Sequence, residues 1–298
     1  MMEVTNIDLH IHTEYSLDGD LKVSDILGKS RDAGLEIISI TDHNLVKAIP
    51  EALSEGLIRN IRVIPGVEID CNYKGTDLHV LGYNINWQSK DFGTLETDFS
   101  TKIMGAFSQM IGNLHKMGID INPAEVLEKA GEQPPSGELI AEVLLNNEKY
   151  DGIRQMDPYR QGGERSDNPY LNFYMDFFAQ GKPAHVDVSY MDYTDALELI
   201  KNNNGIPIIA HPGLNFRKRE EVIEDLIRLG AKGLEAFNNY HSREQIEYFA
   251  GLAVKNKVLM TCGSDFHGKT KPAINLGSFR SVATFDTYLR ESVEELLC

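Results

Sequence analysis

Asp8-Leu9-His10-Ile11-His12-Thr13 decides the fold of this chain, because it joins a short strand-like run to two histidines. Side chains two positions apart on a strand point to the same face. His10 and His12 can therefore converge on one metal ion, while Ile11 faces the other way. A His-x-His pair is a weak signal by itself, so its meaning depends on the rest of the chain.

Further short segments repeat this design, each with a metal-binding type of side chain at or just after an apolar run. Together with the first segment they contain six of the nine histidines in the chain. A lone histidine at a strand end is usually a satisfied polar residue, but the joint pattern is hard to produce by chance. The further segments are Thr41-Asp42-His43, Gly66-Val67-Glu68, Leu78-His79, Ala210-His211-Pro212, Glu235 and Gly263-Ser264-Asp265-Phe266-His267.

Strand and helix signals alternate in the first and last parts of the chain. Repeated strand–helix units favour a parallel sheet or barrel. The carboxyl ends of parallel barrel strands gather at one face, where we expect the candidate ligands to meet. The predicted strands are Asn6–Ile11, Ile37–Thr41, Ile61–Ile64, Gly66–Ile69, Leu78–Tyr83, Ile206–Ala210, Leu234–Phe237 and Val258–Cys262, and the predicted helices are Val23–Gly34, Thr194–Asn203, Glu220–Leu229 and one that begins at Ser242.

Residues 95–182 break this alternation and read as almost entirely helical. Asn122-Pro123 and Asn168-Pro169 have the N-cap residue and following proline that begin helices, and Ser136 is a further candidate cap. We therefore predict a barrel domain formed by residues 1–94 and 183–298, with residues 95–182 as a helical insertion domain.

The bulk properties narrow the function. The 298 residues have a net charge of −16, which is the wrong sign for general binding of duplex nucleic acid. The three cysteines are scattered without CxxC spacing, so neither a disulfide framework nor a structural zinc ribbon is expected. The chain has no signal-peptide pattern and no apolar run long enough for a membrane span. We expect a cytoplasmic protein without a membrane partner.

The candidate ligands are too numerous for one tetrahedral ion, so two or three divalent ions are implied. Glu68 is the natural bridging carboxylate, and Asp18 lies in a loop that would run over the same face. A mixed set of imidazoles and carboxylates suits zinc, manganese or iron. The candidate ligands are His10, His12, Asp18, His43, Glu68, His79, His211, Asp265 and His267.

Other residues are candidates for supporting roles. Because adjacent residues diverge on a strand, we expect His43 to be a ligand and Asp42 to be a carboxylate that supports an imidazole. His241 could donate a proton to the leaving oxygen, with an exposed loop histidine as the alternative. Lys182 and Arg217 could bind phosphate, with a solvated surface position as the alternative for each.

At this point the segments resemble a known family. Asp8–Thr13, Thr41–His43, Pro65–Glu68, Ala210–Gly213 and Gly263–His267 resemble the four-motif signature of the polymerase and histidinol phosphatase (PHP) family. The resemblance extends over nearly the whole chain and is nearest to the stand-alone branch of metal-dependent phosphoesterases. It implies a distorted (β/α)7 barrel with a trinuclear site.

The resemblance also implies how the ligands are shared among three ions. His10 and His12 would hold one ion with Glu68 and Asp265. Glu68 would bridge to a second ion, and the third would have a separate set of ligands. The second ion would be held by His79 and His211, and the third by Asp18, His43 and His267.

Clustered divalent ions provide a hydroxide nucleophile at neutral pH and clamp an anionic substrate, so phosphoester hydrolysis is the leading function. The expected partner is a small phosphate ester, with nucleotides among the candidates. One alternative is a 5'-3' exoribonuclease or phosphodiesterase acting on short nucleic-acid ends. Others are a metal-dependent C–N hydrolase, a non-catalytic metal-binding barrel and a proofreading module of a polymerase, for which the chain is too short to contain the polymerase itself.

Overall fold

A curled sheet of eight strands forms the framework of the protein in the computed structural model, which describes residues 6–131, 133–216 and 219–297. Seven strands follow one another in the order β1-β2-β3-β4-β6-β7-β8, and the short β5 pairs with β3. The strands are β1 (Ile7–Ile11), β2 (Ile37–Ile40), β3 (Arg62–Tyr73), β4 (Thr76–Tyr83), β5 (Met191–Asp192), β6 (Ile206–Ile209), β7 (Gly233–Phe237) and β8 (Leu259–Cys262).

The segment after β8 brings the sheet close to closure. The backbone N–H of Asp265 donates to the carbonyl of His10 at 2.9 Å, and the N–H of His12 donates to the carbonyl of Phe266 at 2.9 Å. The last strand therefore returns to the first, and the predicted distorted seven-stranded barrel is confirmed.

The expectation of an entirely parallel barrel is wrong at β4. This strand runs antiparallel to both of its neighbours, β3 and β6. The two strands predicted at Ile61–Ile64 and Gly66–Ile69 are one long strand, β3. As a result Glu68 and His79 lie within their strands rather than at carboxyl ends.

Helices surround the barrel and form the insertion. Ser242 begins α10 with the predicted capping box, because its side chain accepts from the backbone N–H of Gln245 and that residue's side chain accepts in return. The helices are α1 (Val23–Asp32), α2 (Ile49–Arg59), α3 (Lys90–Lys116), α4 (Pro123–Ala130), α5 (Gly137–Asn146), α6 (Pro169–Phe177), α7 (Tyr193–Asn202), α8 (Pro212–Asn215), α9 (Val222–Arg228), α10 (Arg243–Asn256) and α11 (Asp286–Leu296). No helix in the described part of the chain is long and apolar enough to cross a membrane.

The helices α3 to α6 have an apolar core of their own, separate from the barrel core. Phe107, Ile140 and Phe173 belong to this second cluster, and all three are buried. Helix α3 joins the two cores, because Phe92 and Leu95 near its beginning pack into the barrel core. A domain boundary at residue 95 would fall inside this helix, so the division into 1–94, 95–182 and 183–298 stays a prediction.

Candidate metal centre and substrate cavity

The structure brings all nine predicted ligands together at one end of the barrel. They form three overlapping groups, a fourth group joins His43 and His79 to Asp70, and within each group one ligand atom per residue lies within 4.8 Å of the others. The three overlapping groups are His10, His12, Glu68 and Asp265; His12, Asp18, His43 and His267; and Glu68, His79 and His211.

Glu68 is the hub of these groups, and its side chain is fully buried. Its Oε2 lies 3.0 Å from His10 Nε2 and 3.1 Å from His12 Nε2. Its Oε1 lies 2.9 Å from His79 Nδ1 and 3.0 Å from His211 Nε2. The two oxygens therefore face different groups, which is the arrangement required of a carboxylate that bridges two ions.

Several atoms of the cluster are buried without a hydrogen-bond partner among the described residues: His12 Nε2, His267 Nε2 and Asp265 Oδ1. His12 Nε2 and Asp265 Oδ1 are only 3.2 Å apart but do not have hydrogen-bond geometry. Leaving buried polar atoms unpaired is costly. Because divalent ions between these atoms would satisfy them, the residues fit a metal centre.

Hydrogen bonds on the outer side of the rings orient two of the histidines. Glu235 Oε1 lies 3.0 Å from His10 Nδ1, and Asp70 Oδ1 lies 2.9 Å from His43 Nδ1. A carboxylate at one ring nitrogen holds the proton there and leaves the lone pair of the other for a metal. In both residues Nε2 faces Glu68, at 3.0 Å from Oε2 for His10 and at 3.4 Å for His43.

Asp70 is a site residue that the sequence analysis missed, and it takes the role expected of Asp42. Asp42 instead accepts hydrogen bonds from the backbone N–H and the hydroxyl of Thr13, at 2.6 and 2.8 Å. Asp42 thus supports the site through the loop after β1 and not through an imidazole. The signal for Asp70 was its spacing, since it follows Glu68 by two positions on β3 and shares its face.

The backbone is strained where two ligands leave their strands. His211 has φ 22° and Asp265 has φ 59°, both in the left-handed region. Such conformations cost about 1–3 kcal/mol each and persist only where the surroundings fix them. Gly263 lies in the same turn as Asp265, and a Cβ there would come within 2.3 Å of His10 Cβ. Only glycine allows this turn to lie so close to β1.

The charges of the cluster suit cation binding. Burial alone would raise the pKa of Glu68, but His10, His43 and His79 together hold that pKa well below its usual range. Burial lowers the pKa of His267 to about 4, which keeps its imidazole neutral at physiological pH. Burial lowers the pKa of His10, His43 and His79, but the surrounding carboxylates outweigh burial and raise the pKa of each. Because imidazoles bind metals in the neutral form, ions that bind at these three rings would displace protons.

Asp265 is held by two groups on the side away from the histidines. Its Oδ2 accepts from Lys271 Nζ at 2.6 Å and from the Tyr240 hydroxyl at 2.5 Å. Lys271 is itself buried, so this ion pair is shielded from water. The contacts leave Oδ1 of Asp265 directed at His10 and His12.

A cavity of about 460 Å³ opens onto the cluster, within the range typical of small-molecule sites. Its floor includes Asp18, His43, His79, His211 and Asp265 from the barrel. Its roof comes from the insertion helices α3, α5 and α6 and from Phe178, which directly follows α6. The roof residues include Phe99, Ile103, Met110, Glu138, Tyr174 and Phe178.

The structure does not place the other predicted residues in this cavity. His241 is buried, with Nδ1 2.9 Å from the carbonyl of Ala236 and Nε2 accepting from the N–H of Gly213. Both ring nitrogens of His241 are therefore bonded to the backbone, and its role as proton donor stays a prediction. Lys182 is exposed and does not line the cavity. Arg217 lies outside the described residues.

Comparisons with known proteins agree with this architecture. The model of the PHP domain family matches residues 8–252. A phosphoribosyl 1,2-cyclic phosphate 1,2-diphosphodiesterase from Eggerthella lenta is 24% identical over 264 residues, which are 88% of this chain and 94% of the relative. A 3',5'-nucleoside bisphosphate phosphatase from Chromobacterium violaceum is 24% identical over 277 residues, covering 92% and 91% of the two chains.

A solved structure has the same fold. It is that of an amidohydrolase from Chromobacterium violaceum with bound sulfate and no metal, with a TM-score of 0.79. The two chains are 22% identical, and the match covers 98% of this chain and 96% of the other.

The chain belongs to the PHP domain family, since the family match covers most of its length. It is a hydrolase of phosphoric esters that depends on divalent metal ions.

Proposed function

We propose that this enzyme hydrolyses a small phosphate monoester at a centre of three divalent ions. The observation that carries the proposal is the convergence of nine imidazole and carboxylate side chains on the floor of one cavity, with unpaired buried atoms among them. The three groups of predicted ligands have the same members as the ligand sets that the family resemblance implies, with one addition. His12 belongs to the group of Glu68 and Asp265 and also to the group of Asp18, His43 and His267.

The metal would be a borderline ion such as zinc, manganese or iron. All donor atoms in the groups are imidazole nitrogens and carboxylate oxygens. This donor set suits those three metals, and no thiolate is needed. Divalent ions would supply Lewis-acid charge for the phosphoryl oxygens and lower the pKa of a water molecule.

The side chains around the centre position the reactants. Glu68, Glu235 and Asp70 fix the histidine rings, so that the site is organised before the substrate arrives. The roof covers part of the floor and limits the size of the group that can reach it. In the hydrolysis, water forms the new P–O bond, the ester P–O bond breaks, and the departing oxygen gains a proton to become the alcohol.

The roof favours a small substrate over a nucleic-acid end. An open groove would suit a chain of nucleotides, whereas this cavity holds about 460 Å³ beneath the insertion helices. The C–N hydrolase alternative is less favoured, because that class usually relies on a bridging lysine or aspartate and here the bridging position belongs to Glu68.

A phosphate-release assay on metal-loaded protein tests the proposal. The substrates would be nucleoside monophosphates, nucleoside 3',5'-bisphosphates and a 5'-phosphorylated RNA oligomer, with metal content measured in parallel. His43→Ala should lose both bound metal and phosphate release. The control variant His115→Gln replaces a histidine of the insertion helix α3 and should keep both. Metal-loaded protein that releases no phosphate from any of these esters would refute the proposal.

A further inference from the structure

Lys269 joins three segments of the chain that are far apart in the sequence. It lies in the segment after β8 and follows the candidate ligand His267 by two positions. Its backbone N–H donates to Asp20 Oδ1 at 3.0 Å, in the loop that carries the candidate ligand Asp18. Its Nζ lies 2.9 Å from Glu142 Oε1 on helix α5 of the insertion. Two ligand-bearing segments of the barrel and the insertion therefore meet at this one residue.

The ion pair of Glu142 and Lys269 differs from the other ion pairs of the insertion helices because it reaches the barrel. Within residues 6–131, 133–216 and 219–297, no other ion pair joins α4, α5 or α6 to a barrel residue. Glu142 is only 8% exposed, so its carboxylate depends on the ammonium groups beside it. Its other partner is Lys129 Nζ at 3.1 Å, which belongs to α4 of the insertion. The same carboxylate thus forms one ion pair inside the insertion and one across to the barrel.

A second cavity lies between the insertion and the barrel at this point. It has a volume of about 230 Å³, with Lys129 and Glu142 on the insertion side and Asp20 and Lys269 on the barrel side. Because side chains do not fill this space, the two sides have fewer close atomic contacts here than either packed core has. The position of one side relative to the other therefore depends strongly on the ion pair between Glu142 and Lys269.

The segments that Lys269 connects supply ligands to only one of the three groups. Asp18 and His267 both belong to the group that also contains His12 and His43, and to no other group. Asp18 Oδ2 lies 2.9 Å from His267 Nε2, so these two ligands face each other. Asp18 lies in a turn outside the sheet, so hydrogen bonds between strands do not fix its position. Contacts such as those of Lys269 must hold it opposite His267.

We propose that Lys269 is a positioning residue for the third ion of the centre, the ion assigned to Asp18, His43 and His267. Lys269 holds the Asp18 loop to the segment that carries His267, and so it fixes the spacing of two ligands of that ion. Because Glu142 belongs to the insertion, the same contacts link the position of the insertion to the affinity for this ion. This inference rests on the proposed three-ion centre and concerns residues outside the ligand set.

Binding of Mn²⁺ to the metal-free, full-length protein tests the inference without measuring catalysis. The electron paramagnetic resonance signal of free Mn²⁺ gives the number of bound ions and their affinities. We expect Lys269→Met to lower the affinity for one of the three ions by about tenfold, the lower end of the effect of residues that orient metal ligands. The affinities for the other two ions should stay close to those of the wild type, which a general loss of structure would not allow.

Lys129→Met is the matched control, because Lys129 contacts the same oxygen of Glu142 but lies within the insertion. It should leave all three affinities unchanged. Lys269→Arg keeps the charge and should keep most of the affinity. Glu142→Gln should reproduce the loss seen in Lys269→Met, and the double variant should lose no more than either single variant, since both changes remove the same contact.

Asp18→Asn identifies the ion concerned, because it removes a carboxylate ligand that belongs only to the third group. Adding Lys269→Met to this variant should cause no further loss of affinity for the remaining ions. A further loss would mean that Lys269 acts on a different ion, which would overturn the inference.

The remaining outcomes distinguish this inference from the proposed function. Equal losses in Lys269→Met and Lys129→Met, or no loss in Lys269→Met, would overturn the positioning role. A wild-type protein that binds fewer than three Mn²⁺ ions would overturn it together with the three-ion centre. A wild-type protein that binds three ions but releases no phosphate from the esters named above would refute the hydrolysis and leave the positioning role standing.

Discussion

Replacing Asp70 with asparagine should weaken metal binding without removing a predicted ligand. Asp70 Oδ1 lies 2.9 Å from His43 Nδ1, and its Oδ2 accepts from the side-chain amide of Asn44 at 2.8 Å. An asparagine has only one oxygen, so it can serve only one of these two donors and must turn its own N–H groups toward the other. The His43 ring would then lose the charge that fixes its tautomer.

The magnitude follows from the burial of this contact. Asp70 is only 9% exposed, so water cannot replace the lost hydrogen bond well. A hydrogen bond to a charged group contributes about 1.5–3 kcal/mol, and about 1.4 kcal/mol corresponds to tenfold in affinity. We expect the affinity for the most weakly bound ion to fall about 10- to 100-fold, as is usual for partners of metal-binding histidines.

Competition with a chromophoric chelator would measure this change, with circular dichroism to verify folding. Asp77→Asn is the matched control for metal affinity, because Asp77 is an aspartate of the neighbouring β4 that accepts from Asn72 and, within the described ranges, forms no ion pair with a histidine. A folded Asp70→Asn protein whose metal affinities all stay within about twofold of the wild type would refute the reasoning.

Two further predictions concern stability. Gly263→Ala should destabilise the protein by about 1–3 kcal/mol or more in urea unfolding, because its Cβ would meet His10 Cβ at 2.3 Å and Glu235 Oε1 at 2.7 Å. Gly28→Ala, a change in α1 with nothing within 4 Å of the new Cβ, should be neutral or stabilising, and equal losses for both would contradict this account. Burial lowers the pKa of His241 to about 4. The unfolded chain then binds a proton below about pH 6.5 that the folded protein does not, so stability should fall by up to about 3 kcal/mol between pH 6.5 and 4. His241→Gln should show a smaller fall over the same range in metal-free protein, and an equal fall would exclude this histidine as a cause.

The ligand positions could be predicted from the sequence because their signal is local. His10 and His12 share a face through the period of a strand, and this geometry holds in any sheet. The same rule applied to β3 would have added Asp70, which follows Glu68 by two positions.

The direction of β4 was missed because an alternating strand looks the same in a parallel and an antiparallel sheet. The informative signal was the connection. Only Lys74 and Gly75 lie between β3 and β4, and both have positive φ, 51° and 80°. A two-residue loop of this kind closes an antiparallel hairpin, whereas a parallel crossover needs a dozen residues or more.

The role of His241 could not be predicted from its neighbours in the sequence. Its position depends on the N–H of Gly213, which comes from a different strand–helix unit.

The floor and the roof of the cavity are supported by two different apolar cores, and this affects how the substrate preference of the enzyme can be altered by substitutions. The floor rests on the barrel core and the roof on the insertion core, joined by α3. Substitutions at well-separated sites without shared partners usually have additive effects. Changes in the insertion core that supports the roof should therefore reshape the cavity wall while the barrel core beneath the metal ligands stays undisturbed.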